Sequence, residues 1–252
     1  MPMLRCETGR VATVTLDRPP ANALDTAAFE ELIDVLARLR AAHDVRAVVM
    51  TGTGRFFSPG LDLFAVFSYP PAGFDTFTQK FDEAFATLFA FPKPVVAAIN
   101  GHAIAGGAVL AAAADHRVIA DGDGRMGLTE IQVGVPFPVA ILEIVRFACA
   151  GPSLGELLYH GRTYPPSEAC ARRLADELVA PDALMARAVE RAETLAAQDA
   201  TAFGHVKRQL RAPALRLIEA LRPGEDPIWD VWRSAETRAA VAAYRERTLK
   251  KR

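Results

Sequence analysis

The apolar positions of this chain change period several times, and the changes mark out its elements. "VATVTL" (11–16) is β-branched and stops at "DRPP", which predicts a strand. Phe29, Leu32, Ile33, Leu36 and Leu39 then recur at helical spacing, with Asp25 placed to cap that helix. "RAVVMTG" (46–52) reads as a short buried strand ending at glycine. Phe77, Phe81, Ala84, Phe85 and Leu88 mark a second amphipathic helix that must stop before Pro92. "PKPVVAAING" predicts a third strand and "HRVIA" (116–120) a fourth. Between them lies "AIAGGAVLAAAAD", an apolar helix opened by two glycines. Beyond about residue 140 the pattern is almost wholly helical. Strands alternating with helices argue for a mixed α/β layer structure.

Composition narrows the class. The chain has 252 residues, 51% of them hydrophobic, and a net charge of −1. A near-neutral balance without a long block of like charge argues against nucleic-acid binding. Three widely spaced cysteines, Cys6, Cys149 and Cys170, argue against a disulfide framework and for a reducing compartment, so a cytoplasmic location is expected. The five histidines show no H-x-x-x-H spacing, so no metal site is expected. The longest apolar runs fall short of a membrane span.

Two short patterns have ordinary readings. "GDGRMG" (122–127) matches a dinucleotide fingerprint, but Asp121 and Asp123 would repel a phosphate, so it is read as a polar turn. "GPSLG" (151–155) matches a nucleophile elbow but follows a helical segment; Ser153 with Glu156 is read as a capping box.

Two other segments point to chemistry. In "GRFFSPGLDL" (54–63), Pro59 and Gly60 make a tight turn that frees the Leu61 N–H. Gly106 and Gly107 open a helix, where N–H groups lie near the positive end of the helix dipole. Glycine lets a ligand approach the backbone closely. Two such donors converging on one oxygen would form an oxyanion hole.

"FFSPGLDL" with "PVVAAINGHAIAGGAVLAAAADHRVIA" resembles the enoyl-CoA hydratase/isomerase, or crotonase, family. The likeness continues in "VTLDRPPANALD", "RMGLTEIQVGVP" and "LLYHGRTYPPSEACARRLADELV", and is weakest at about 212–228. "GLDL", "GLTEIQVG", "YPPSEA" and the tail "VWRSAETRAAVAAYRERTLKK" are most similar to the Δ3-Δ2-enoyl-CoA isomerases. The resemblance implies an α/β crotonase spiral of ββα turns over residues 1–195 and a helical subdomain over 196–252. It implies an acyl-CoA substrate, no cofactor beyond the CoA it carries, and a homotrimer or pair of trimers. Trp229, Trp232 and Tyr244 are residue types suited to that interface.

By the same resemblance the N–H groups of Leu61 and Gly106 hold the thioester oxygen, and Glu130 is the base. Ala23, Ser58, Gly60, Asp62, Gly107, Val109 and Phe137 would lie along the substrate, with Phe64 and Phe67 as further wall candidates. Arg18 and Arg55 are candidates for the CoA phosphates. Val109 stands where hydratases of the family carry a second glutamate. One carboxylate suffices to move a proton from C2 to C4, so an isomerase working in fatty acid β-oxidation is expected. Another reaction of the family, hydration above all, and a non-catalytic CoA-binding scaffold are the alternatives. Phe137 and Pro138 replace the glycine-rich segment usual in hydratases, which would reshape the acyl pocket.

Overall fold

In a computed structural model, residues 3–151, 154–221 and 223–249 are described. The chain begins with β1 (Leu4–Glu7), β2 (Val11–Leu16), α1 (Thr26–Ala41), β3 (Ala47–Gly52) and β4 (Phe56–Ser58). Then come α2 (Leu63–Val66), α3 (Pro71–Phe89), β5 (Val95–Ile99), β6 (His102–Ile104) and α4 (Gly106–Ala112). β7 (His116–Ala120) and β8 (Met126–Gly127) follow, then a single 3-10 turn over Glu130–Val133. The second half holds α5 (Val139–Ala148), α6 (Leu154–His160), β9 (Thr163–Tyr164), α7 (Pro166–Ala171) and β10 (Glu177–Val179). It closes with α8 (Leu184–Ala196), α9 (Ala200–Glu219), α10 (Ile228–Arg233) and α11 (Ala235–Tyr244).

Two sheets share the strands. The larger runs β1-β2-β3-β5-β7-β10, parallel apart from the β1–β2 pair; the smaller runs β4-β6-β8-β9. The pairs β3/β4, β5/β6 and β7/β8 each give one strand to each sheet, which makes successive turns of a spiral. β3 shows why its sequence is an unbroken apolar run. Val48 and Met50 face the main core, while Ala47 and Val49 face a second core under α8, so both faces are buried. α8 meets that face with Leu184, Ala188, Ala192 and Ala196, and the small side chains let it lie close.

On the other face α1 and α3 interlock through Phe29, Phe77, Phe81 and Phe85. α1 starts where its sequence signals: the Asp25 carboxylate accepts from the Ala28 N–H at 3.0 Å. The main core also takes in Leu215, Ile218, Trp229, Trp232 and Val241, so the C-terminal helices pack onto the rest of the chain.

Several expectations need correction. The chain after residue 140 is not wholly helical: β9 closes the smaller sheet and β10 the larger. Both are three residues or fewer, too short for a period to show. β4, β6 and β8 escape the sequence pattern for the same reason, and β1, at four residues, is scarcely longer. The Asp121–Asp123 turn, by contrast, is the polar turn expected: it is exposed and leads into a strand rather than a helix. Ser153 lies outside the described residues. Trp229 and Trp232 are buried within this chain, their indole N–H groups donating to Asp82 (3.1 Å) and the Pro136 carbonyl (2.9 Å), so they are no interface surface.

Candidate active site

A cavity of about 610 Å³ opens where the two sheets meet the C-terminal helices. Leu61, Gly106 and Glu130, from three separate segments of the chain, all line it.

The first donor follows from a one-residue bridge. Leu24 pairs with Leu61 in parallel: the Leu24 N–H donates to Gly60 O (2.8 Å) and the Asp62 N–H to Leu24 O (2.7 Å). Alternation along an extended segment then turns the Leu61 N–H away from Leu24, to the cavity side. The preceding Gly60 has φ +85, a conformation side chains resist. Ser58 pins the turn: its hydroxyl donates to Asn22 O (2.8 Å) and accepts from the Gly60 N–H (3.1 Å).

Gly106 opens α4, so its N–H belongs to the first turn and has no intrahelical acceptor. Ala105 ahead of it sits at φ 50, ψ −126, a region side chains rarely enter, and the strain is stored at the site. The two donor loops touch. A Cβ on Gly60 would stand 2.9 Å from the Gly106 nitrogen. A Cβ on Gly107 would collide with the Ser58 carbonyl.

Glu130 begins the 3-10 turn after β8, and Gly134 at φ 74 ends that turn. α11 holds it from behind, with Ala240 packed against Gly134. Glu130 is only 8% exposed, and its Oε2 has no hydrogen-bond partner. Burial penalises the charged form and pushes its pKa up to about 7; its own backbone hydrogen bond opposes this only in part. The cavity's other carboxylate, Asp62, is engaged: it accepts from the N–H groups of Phe64 and Ala65 and pairs with Arg18 at 3.2 Å.

The remaining expected residues divide. Ala23, Asp62, Phe64 and Phe137 line the cavity with the three above. Ser58, Gly60 and Gly107 do not line it; they brace the donors from behind. Val109 also stands behind the wall, fully buried in the core. Phe67 is core, stacked on Trp232 at 6.1 Å. Arg18 is engaged within the chain: its guanidinium is held by Ala23 O (2.6 Å), Asp25 (2.8 Å) and Asp62, which fixes the loop carrying Ala23. Arg55 is exposed and outside the cavity wall.

Sequence reasoning missed His102, Arg125, Gln132, Ile141 and Trp232 as wall residues. Nothing in their local patterns marks them. Among the described residues no His, Cys, Asp or Glu cluster could hold a metal, and no helix is long and apolar enough to cross a membrane.

The fold and this site define a class, and comparison with known proteins agrees. The enoyl-CoA hydratase/isomerase family model matches residues 7–251, so the chain belongs to that family and has its crotonase fold. A protein named probable enoyl-CoA hydratase echA17 of Mycobacterium avium is 38% identical over 173 residues, 68% of this chain and 66% of that one. The chain therefore spans about two thirds of that relative's length. The crystal structure of probable enoyl-CoA hydratase EchA3 of Mycobacterium tuberculosis superposes with TM-score 0.82 at 32% identity, covering 93% of this chain and 98% of that one. Human mitochondrial Δ3-Δ2-enoyl-CoA isomerase, at 23% identity, shares the fold over the full length of both chains with TM-score 0.94.

Proposed function

We propose that this protein is an enoyl-CoA isomerase that converts 3-enoyl-CoA to 2-enoyl-CoA in fatty acid β-oxidation. The observation that carries the reading is one buried carboxylate, Glu130, whose Oε2 has no hydrogen-bond partner, sharing a cavity with Leu61 and Gly106. The thioester oxygen accepts from the Leu61 and Gly106 N–H groups. Glu130 takes a proton from C2, and the electron pair moves into the thioester as an enolate. Each donor is worth about 2.7–4 kcal/mol to that developing charge. The electrons then return through C2–C3 as the C3–C4 double bond collapses, and Glu130 delivers the proton to C4. A base with pKa about 7 is matched to such transfer near neutral pH. CoA arrives with the substrate, and the chemistry needs no further cofactor.

The hydratase names of the M. avium and M. tuberculosis relatives favour a second reading, hydration of 2-enoyl-CoA. Water addition calls for a second group to hold the water, and Asp62 is already committed to Arg18 and α2. A silent scaffold would have no use for a buried carboxyl oxygen without a hydrogen-bond partner, which costs stability. The deciding experiment is incubation with 3-enoyl-CoA and, separately, 2-enoyl-CoA, with products identified by mass and chromatography. Conversion of the first to the 2-enoyl thioester supports isomerisation. A 3-hydroxyacyl product formed faster from the second overturns it.

A further inference from the structure

We infer that Trp232 is the end wall for the acyl chain, so that the site takes short and medium enoyl thioesters and excludes long ones. The inference rests on the acyl-CoA reading above. The cavity wall carries two chemically distinct groups of side chains, each joined by contacts: Arg125 with Thr163, and Phe81 with Trp232. One is polar: His102 of β6, Arg125, and Thr163 of β9, with Arg125 donating to the Thr163 hydroxyl at 2.8 Å. The other is apolar: Phe81 of α3, Phe137, Ile141 of α5 and Trp232 of α10. Glu130 and the two backbone donors belong to the same cavity. A thioester bound there directs its charged carrier to the polar side chains and its hydrocarbon to the apolar ones, because apolar burial drives the second and opposes the first.

One side chain of the apolar group is locked in place. Trp232 is 2% exposed, and its indole N–H is held by the Pro136 carbonyl at 2.9 Å. It stacks on Phe67 with a 13° interplanar angle and meets Trp229 edge-on at 5.0 Å and Phe81 at 6.4 Å. Trp229 is tied in turn to Asp82. Swinging Trp232 aside would strip its N–H of an acceptor and break three ring contacts at once. A chain that reaches the indole therefore gains nothing from further carbons.

The test uses saturated acyl-CoAs from four to sixteen carbons, which the reaction cannot consume, and measures affinity by calorimetry for wild type, Trp232→Ala and Trp232→Phe. Wild-type affinity rises about fourfold for each methylene buried, then levels or falls at a medium length. Trp232→Ala moves that break to longer chains, and Trp232→Phe moves it less. Should Trp232→Ala fail to fold, as its thermal melt would show, Trp232→Phe carries the same comparison. A wild-type affinity that climbs without a break to sixteen carbons overturns the inference, as does a break unmoved in every folded variant. Failure of all chain lengths to bind overturns the acyl-CoA reading itself, a result distinct from either.

Discussion

Gly60 and Gly106 lie so close that a methyl group on Gly60 would reach within 2.9 Å of the Gly106 nitrogen. This contact brings the two donor loops together across 46 residues of sequence. Gly60→Ala adds that methyl group at φ +85, a conformation costing about 1–2 kcal/mol for any other residue. The expected outcome is a lower melting temperature and a kcat reduced at least tenfold, toward the 10²–10³-fold loss of a whole oxyanion donor. An intact kcat in the folded variant would show that the loops need not touch.

Glu130→Gln removes the base and keeps the shape. Isomerase kcat should fall 10²–10⁴-fold, the usual contribution of a general base, while acyl-CoA affinity stays within a few-fold. In the wild type, kcat/KM should decline as pH drops through about 7, because only the ionised carboxylate accepts a proton. Stability moves the other way. The folded pKa is raised above the unfolded value, so the native state holds a proton that the unfolded state releases, and wild-type stability falls between about pH 4.5 and 7. The Gln variant lacks this slope, and thermal melts at pH 5 and pH 8 measure the difference.

Arg18 joins Ala23 O, Asp25 and Asp62, and a lysine cannot make three directed contacts in that fork geometry. Arg18→Lys should reduce kcat/KM by the same factor for a CoA thioester and for its pantetheine analogue lacking the nucleotide. A loss confined to the CoA thioester would instead mark Arg18 as a phosphate ligand.

Val109 is fully buried. Val109→Glu should raise hydration of 2-enoyl-CoA only slightly above a low wild-type rate, because a carboxyl placed there takes up a proton. Its stability should worsen as pH rises above about 4.3, where the unfolded glutamate ionises. Parallel hydratase and isomerase assays check this. Efficient hydration by the wild type would move the chain to the hydratase side of its family.

We expect a trimer-based assembly, on a surface other than the tryptophans. Val206, Leu210 and Leu217 line one face of α9 and are 60%, 65% and 49% exposed. Apolar side chains in such a row are suited to a subunit contact. Light scattering should give three or six times the 27.2 kDa chain mass, and Leu210→Asp should shift it downward. A single-chain mass at micromolar concentration ends the expectation.

Much of the site was legible because its parts are local. A turn glycine before Leu61 and a glycine pair opening an apolar helix carry their backbone consequences within a few residues. Glu130 was legible only through the resemblance of "GLTEIQVG"; alone it reads as a surface glutamate, since nothing near it in sequence reports burial. The pairing of Arg18 with Ala23, Asp25 and Asp62 was not legible, because sequence does not show which charges are already engaged.

The sequence by itself determined the long helices, strands β2, β3, β5 and β7 of the main sheet, the Asp25 cap and the two donor loops. Hydrophobic period and turn chemistry act over one or two turns of chain. Tertiary structure alone decided the smaller sheet, whose two- and three-residue strands exist only because their neighbours supply hydrogen-bond partners. It also decided the apolar part of the cavity wall. Phe81 and Trp232 are 151 residues apart, and burial of aromatic surface, which has no direction along the chain, brings them together.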